Sequence, residues 1–183
     1  MNTEFKIEIA SMKHIGYAEL ICQTMETSAL ARGTGISKRL PTDIIHKMEA
    51  GKAFIATHRN GDWAGFGYFE VWDNGKSVSN SGLIVAPHYR NKGIAEALKR
   101  RLFRRCRQLF PHAKIFSITT TKTVMKINSR LGFKPMPFGD LTADIQYWKG
   151  CQSCCNYDIL QRTNCKLCLC TGMVFDPAES LEQ

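Results

Sequence analysis

Three apolar runs separated by two turns containing Asn-Gly govern the middle of this 183-residue chain. Ala53–Thr57, Trp63–Trp72 and Ser77–Val85 are rich in aromatic and β-branched residues, and Asn60-Gly61 and Asp73-Asn74-Gly75 lie between them. Asn-Gly is favoured where successive residues must take positive φ, as a tight connection between antiparallel strands demands. The three runs are expected to form an antiparallel meander.

The flanking segments are read as elements laid on or beside that sheet. Phe5–Ala10 alternates as a strand does, and Ser11 can cap a helix carrying Ile15, Ala18, Leu20, Ile21 and Met25. Arg32-Gly33-Thr34-Gly35 breaks that helix, and Pro41 opens a second one through about Glu49. After Pro87 the spacing predicts a long helix, about Asn91–Phe110, with Ile94, Leu98, Leu102, Cys106 and Leu109 as its apolar stripe and Lys99, Arg100, Arg104 and Arg107 off it. Lys114–Thr120 reads as a strand, Val124–Leu131 as a short helix, Gly132–Pro135 as a strand stopped by prolines, and Ile145–Trp148 as a last strand. The order β α α β β β α β α β makes the fold class α+β, a mixed, mostly antiparallel central sheet flanked by helices.

With 44% hydrophobic and 22% charged residues the chain can bury a sizeable core. Neither repeats nor low-complexity tracts interrupt it, so a single folded domain over residues 1–149 is expected, with the Cys-rich extension 150–183 packed on the same domain. No apolar run reaches the roughly 20 residues of a membrane span, and Glu4, Lys6 and Glu8 interrupt the region where a signal peptide needs apolar residues. A cytoplasmic protein without a membrane partner is expected. A homodimer is compatible with the sequence, which does not specify one.

Charge is concentrated. Residues 90–114 hold nine basic side chains and one acid, Glu96, a net +8 out of +9 for the whole chain. Such a field wants an anion, whether nucleic acid, membrane or a polyphosphate. Leu83–Ala95 narrows the choice, because there an apolar strand meets a helix through a basic, Gly-containing turn. The first N–H groups of a helix lack intrahelical partners and sit at the positive end of its dipole, which makes an anion site. Gly93 lets a ligand approach the backbone, Ala95 keeps the next turn narrow, and Arg90 and Lys92 add charge. A pyrophosphate fits, although an ordinary strand-to-helix turn with solvated basic residues has the same composition.

Val85-Ala86-Pro87-His88-Tyr89-Arg90-Asn91-Lys92-Gly93-Ile94-Ala95 resembles the acetyl-CoA motif of the GNAT superfamily of N-acetyltransferases, V-x-P-x-x-R-x-x-G-x-A. Val124–Phe133 is similar to the family's helix ending in Leu-Gly-Phe. The resemblance spans roughly residues 5 to 148 and implies a GNAT-like fold with acetyl-CoA as acyl donor. By the same likeness Leu83, Ile84 and Val85 pair with the pantetheine arm in a cleft between splayed fourth and fifth strands, while Arg90, Asn91, Lys92, Gly93, Ile94 and Ala95 hold the pyrophosphate. Many members place a Tyr, as general acid toward the CoA thiolate, four residues before the Gly of the Gly-Phe pair. Here Asn128 takes that position, and an amide can hydrogen-bond but cannot act as the acid.

Transfer to an amine needs the amine neutral, which at pH 7 costs about 1 to 5 kcal/mol for a pKa of about 8 to 10.4. Ser77, Ser79, Asn80 and Ser81 offer no carboxylate on the fourth strand, which leaves Glu70 as the nearest candidate base; a solvated cross-strand charge is the alternative. Cys106, on the apolar stripe, is read as core, so direct transfer is expected instead of an acyl-enzyme. Lys38–Ile44 and the tail from Leu141 through Cys154 to Met173 resemble short-form N-acetylglutamate synthases of arginine biosynthesis. An amino-acid acceptor needs a cation for its carboxylate, and the Arg fork suits it. Arg39 is the first candidate and Arg32 the second, against solvated loop arginines.

Cys151-x-x-Cys154 and Cys165-x-x-Cys168 have spacing that zinc can use, but Cys155 and Cys170 make the ligand set ambiguous, and a reduced packed tail is the alternative. The function that emerges is acetyl-CoA-dependent N-acetylation of a small amine, an amino acid such as glutamate. The alternatives are a protein, polyamine or drug acceptor, or a basic nucleic-acid module with a zinc knuckle. Against that module, the basic residues lack interleaved exposed aromatics.

Overall fold

The computed structural model describes residues 4–179. Seven strands form one sheet: β1 Phe5–Ile9, β2 Ala53–His58, β3 Trp63–Trp72, β4 Ser77–Val85, β5 Lys114–Thr119, β6 Lys134–Pro135 and β7 Thr171–Phe175. Their order is β1-β2-β3-β4-β5-β7-β6. Only the β4–β5 pair is parallel. The helices are α1 Ala18–Ala31, α2 Pro41–Glu49, α3 Ile94–Leu109, α4 Lys122–Arg130, α5 Ile145–Lys149 and α6 Tyr157–Arg162.

The meander forms as its turns require. In the second turn Asp73, Asn74 and Gly75 have φ of 52°, 54° and 89°, a run of left-handed residues that these types tolerate best. The Asp73 carboxylate accepts the Ser77 and Thr142 hydroxyls at 2.6 and 2.5 Å, tying the hairpin to the C-terminal segment.

Helices cover both faces. Ile94, Leu98, Leu102 and Cys106 of α3 pack on Phe54, Ala64, Phe69 and Val78. On the other face Ile21 and Met25 of α1 and Ile44 and Met48 of α2 pack on Ile55 and Phe66. Each fully buried Leu or Ile contributes about 1.5–3 kcal/mol, so these two layers hold the helices to the sheet.

Several expectations are corrected. The helix expected from Asn91 begins at Ile94, because Asn91 (φ 63°) and Gly93 (φ 79°) have left-handed backbone. Leu109 at its other end is 44% exposed, while Lys99, expected among the polar residues, is 1% exposed with its Nζ 4.9 Å from the Phe133 ring centre. Ser11 precedes a 3-10 turn, Met12–Tyr17, and α1 starts only at Ala18, which leaves Ile15 and Leu20 exposed.

Ile145–Trp148 is not a strand. The Asp144 carboxylate accepts the Gln146 N–H at 2.9 Å and caps α5, which buries Trp148. Nor does the tail only lie on the sheet. Its strand β7 sits between β5 and β6, Phe116 pairing with Val174 and Lys134 with Val174 on the other side. Phe116, Phe138, Leu141, Trp148, Leu160 and Val174 make a third core beneath it.

Candidate active site

β4 and β5 are paired only from Ser77 to Ser79, against Lys114 to Phe116. Past that point β4 continues beside β3 alone and carries a bulge. Phe66 pairs with Ile84 and Tyr68 with Ser81, which leaves Gly82 and Leu83 opposite Gly67. Gly82 has φ +62°, and a Cβ there would lie 2.4 Å from the Tyr68 ring, so only glycine fits.

Two cavities open along this gap. The larger, about 420 Å³, runs between the Leu83–Val85 stretch, the Arg90–Ile94 turn and α4. The smaller, about 220 Å³, lies between Ser37, Arg39, Asn80–Gly82 and the C-terminal segment. Leu83, Ile84 and Arg32 line both, so the two are parts of one passage through the splayed strands.

The larger cavity ends at the N-terminus of α3, a 16-residue helix. A Cβ on Gly93 would meet nothing within 4 Å, so the space above this backbone is open, and the left-handed residues Asn91 and Gly93 make a turn of the kind that aims N–H groups at an anion. Arg90 lines the cavity and is held by the Ser28 hydroxyl (2.8 Å) and the Val85 carbonyl (3.4 Å). Burial and the neighbouring charge of Arg90 both lower the Arg32 pKa. Two cations thus share this wall. Lys126 of α4 adds charge, a contribution the strand-to-helix motif did not reveal, while Arg130 beside it is paired with Glu96 at 3.0 Å. Lys92 is turned away, its Nζ above the Phe5 and Tyr89 rings at 5.7 and 5.8 Å. Leu83, Ile84, Val85, Arg90, Asn91, Gly93, Ile94 and Ala95 are brought together as the motif requires.

In the smaller cavity Arg39 is half-buried. Its Nε donates to the Tyr68 hydroxyl at 3.0 Å and its Nη1 to the Ser37 carbonyl at 2.8 Å. Burial acts to lower its pKa, but Tyr68, with Tyr147 and Cys22, acts to raise it and the net displacement is upward, so Arg39 stays charged. Its recorded partners are a phenol and a carbonyl, and the lining includes no Asp, Glu or His among the described residues. Arg32 is the other cation on this wall. Burial pushes the Cys151 and Cys170 thiols up to about 11 and about 12, and raises Tyr147 well above the usual phenol value.

Glu70 and Asn128 line neither cavity. Glu70 hydrogen-bonds Lys47 and Lys52. Burial opposes its charge, but the two lysines outweigh it and the carboxyl titrates below its ordinary value. Asn128 is fully buried, its Nδ2 3.6 Å from the Met173 sulfur of β7. Among the described residues no three His, Cys, Asp or Glu side chains are grouped to hold a metal, so the zinc expectation finds no support, although Cys151, Cys154, Cys168 and Cys170 neighbour one another on the cavity wall.

A family model described as acetyltransferase (GNAT) family matches residues 27–126. No curated protein matches the chain significantly. Among solved structures, N-acetylglutamate synthase from Neisseria gonorrhoeae, complexed with coenzyme A and N-acetyl-glutamate, superposes with TM-score 0.68 and 14% identity over 96% of this chain. The chain spans 36% of that synthase. A Mycobacterium tuberculosis protein in complex with CoA gives 0.66 and 19% identity, covering 93% of this chain and 98% of its own. A phosphinothricin acetyltransferase from Sinorhizobium meliloti in complex with acetyl-CoA gives 0.62 and 16% identity, covering 95% and 89%. At such identities the likeness is one of fold.

Proposed function

Because this chain belongs to the acetyltransferase (GNAT) family, we propose that it transfers the acetyl group of acetyl-CoA directly to the amine of a small carboxylate-bearing acceptor, an amino acid such as glutamate. The donor's pyrophosphate lies on the turn before α3 and its pantetheine arm along Leu83–Val85, where β5 offers no ladder partner. The thioester then reaches the junction of the two cavities at Leu83 and Ile84.

The observation that carries the acceptor class is Arg39, a half-buried cation in the smaller cavity with neutral partners. A desolvated charge without a counter-charge is costly, and a ligand carboxylate removes that cost. A polyamine is disfavoured by the same wall, since Arg39 and Arg32 would face its ammonium groups. The solved N-acetylglutamate complex of the Neisseria synthase supports the reading as a likeness of fold.

In the transfer the amine nitrogen bonds to the thioester carbon, the carbonyl becomes an oxyanion, and the C–S bond then breaks to release CoA thiolate. The β4 N–H groups left unpaired by β5 are the donors at hand for that oxyanion. The protons the nitrogen loses before and after attack pass to solvent water, since among the described residues no carboxylate or imidazole lines the acceptor side.

CoA release measured across glutamate, ornithine, lysine and amines lacking a carboxylate tests the reading. Turnover with amino acids and little with the amines is expected. Equal use of both would replace the amino acid by another class of amine.

A further inference from the structure

Tyr68 is absent from the residues that the sequence motifs single out, yet its hydroxyl accepts the Arg39 Nε–H at 3.0 Å. We infer that Tyr68 is the positioning residue that aims the Arg39 guanidinium at the acceptor's carboxylate. The inference rests on the amino-acid reading above and goes beyond it by assigning what sets the anchor.

The geometry supplies the reason. Arg has five N–H donors on a planar fork. Tyr68 takes the one on Nε and Ser37 takes one on Nη1, so both on Nη2 and the second on Nη1 remain for a ligand. The plane of the fork is then fixed by two partners from different elements, β3 and the loop before α2.

Tyr68 is itself fixed. It pairs with Ser81 in the ladder, and its ring lies against Gly82, where any Cβ would come within 2.4 Å of it. On the ring's other contacts, Phe66 is tilted at 6.2 Å and the Lys47 Nζ stands 5.9 Å from the centre. The ring is thus seated on the bulge of β4 that lies against the donor, and its hydroxyl reaches the acceptor anchor. The Ser37 side is held as well, by the Lys38 N–H donating to the Ser153 hydroxyl at 2.8 Å. A loose Arg could reach a carboxylate only after losing side-chain freedom, whereas this one is already ordered.

The test is Tyr68→Phe, which removes the hydroxyl and leaves the ring on Gly82. Steady-state kinetics would compare glutamate with 4-aminobutyrate, its analogue without the α-carboxylate, in the parent, Tyr68→Phe, Arg39→Lys and the double variant. KM for glutamate should rise roughly tenfold in Tyr68→Phe, with kcat, KM for acetyl-CoA and the constants for 4-aminobutyrate unchanged. The double variant should be no worse than Arg39→Lys, because Tyr68 acts through Arg39. If Arg39→Lys loses glutamate while Tyr68→Phe does not, or if the two losses add, the positioning role is overturned and the amino-acid reading stands. If the parent fails to prefer glutamate, both fall.

Discussion

Ser79 of β4 pairs with Phe116 of β5, and beyond this pair the two strands separate. The fold thereby places an opened strand, with its backbone groups free on one side, between a helix N-terminus and a half-buried arginine. On the proposed reading one gap serves both halves of the reaction, with the donor on the α3 side and the acceptor on the Arg39 side; Leu83 and Ile84 line both cavities.

Gly93 tests the donor half. At φ +79°, with open space where its Cβ would be, it is the position proposed for the closest approach of the phosphates. Gly93→Val should abolish CoA binding in calorimetry while the protein stays folded, since one side chain in left-handed backbone costs about 1–3 kcal/mol of a stability of about 5–15 kcal/mol. CoA binding equal to the parent's would put the pyrophosphate elsewhere.

Glu70 separates a structural from a catalytic carboxylate. Held by Lys47 and Lys52 and below its ordinary pKa in the folded protein, it stabilises the fold above the pKa of an unfolded Glu, and that contribution fades as pH falls through the lower folded value. Glu70→Gln should therefore lower stability by about 1 kcal/mol near pH 7, discounted for the partly exposed lysines, and lose this effect in acid. The kcat should hardly change. A kcat reduced a hundredfold or more, with the fold intact, would return Glu70 to the base role.

Cys106 should take no acetyl group. It is buried against α3's neighbours, accepts the Asn80 Nδ2–H at 3.4 Å, and burial pushes its thiol up to about 11, so about one in ten thousand is thiolate at pH 7. Mass spectrometry after mixing with acetyl-CoA alone should find the thiol unmodified. A stoichiometric adduct there, with ping-pong kinetics, would overturn direct transfer.

What the sequence made legible was local. The Asn-Gly turns and the Val85–Ala95 motif each complete their signal within about a dozen residues, and the meander and the anion turn follow. The missing parts are long-range. The pairing of Val174 with Phe116 joins positions far apart in the chain, and the strand carrying Val174 is too short to announce a sheet partner. Ile145–Trp148 offers four residues, too few for either period to show, and its helical state depends on the Asp144 cap. Tyr68 looks like one more aromatic in a strand; its tie to Arg39 exists only once α2's leading loop has folded over β3.

Lys99 was likewise hidden by its neighbours, one position past Leu98 in a run of basic residues, yet it faces the core. Burial drives its pKa down to about 7, with only the Cys106 thiol, when ionised, acting the other way. A lysine depressed in the folded state is protonated more readily in the unfolded one. Stability should therefore rise with pH between about 7 and the ordinary lysine value of about 10.4, and be flat below 7 in respect of this group. Lys99→Met keeps the stem's volume beside Phe133 and removes the titration. It should stabilise the protein by up to about 4 kcal/mol at pH 7, an upper bound because a buried amine relaxes toward water, and by progressively less toward pH 10. Denaturant midpoints at pH 6, 8 and 10 decide it: a variant less stable than the parent at pH 6 would mean that a partner holds the Lys99 ammonium, and a gain that does not shrink with pH would mean that its pKa is not depressed.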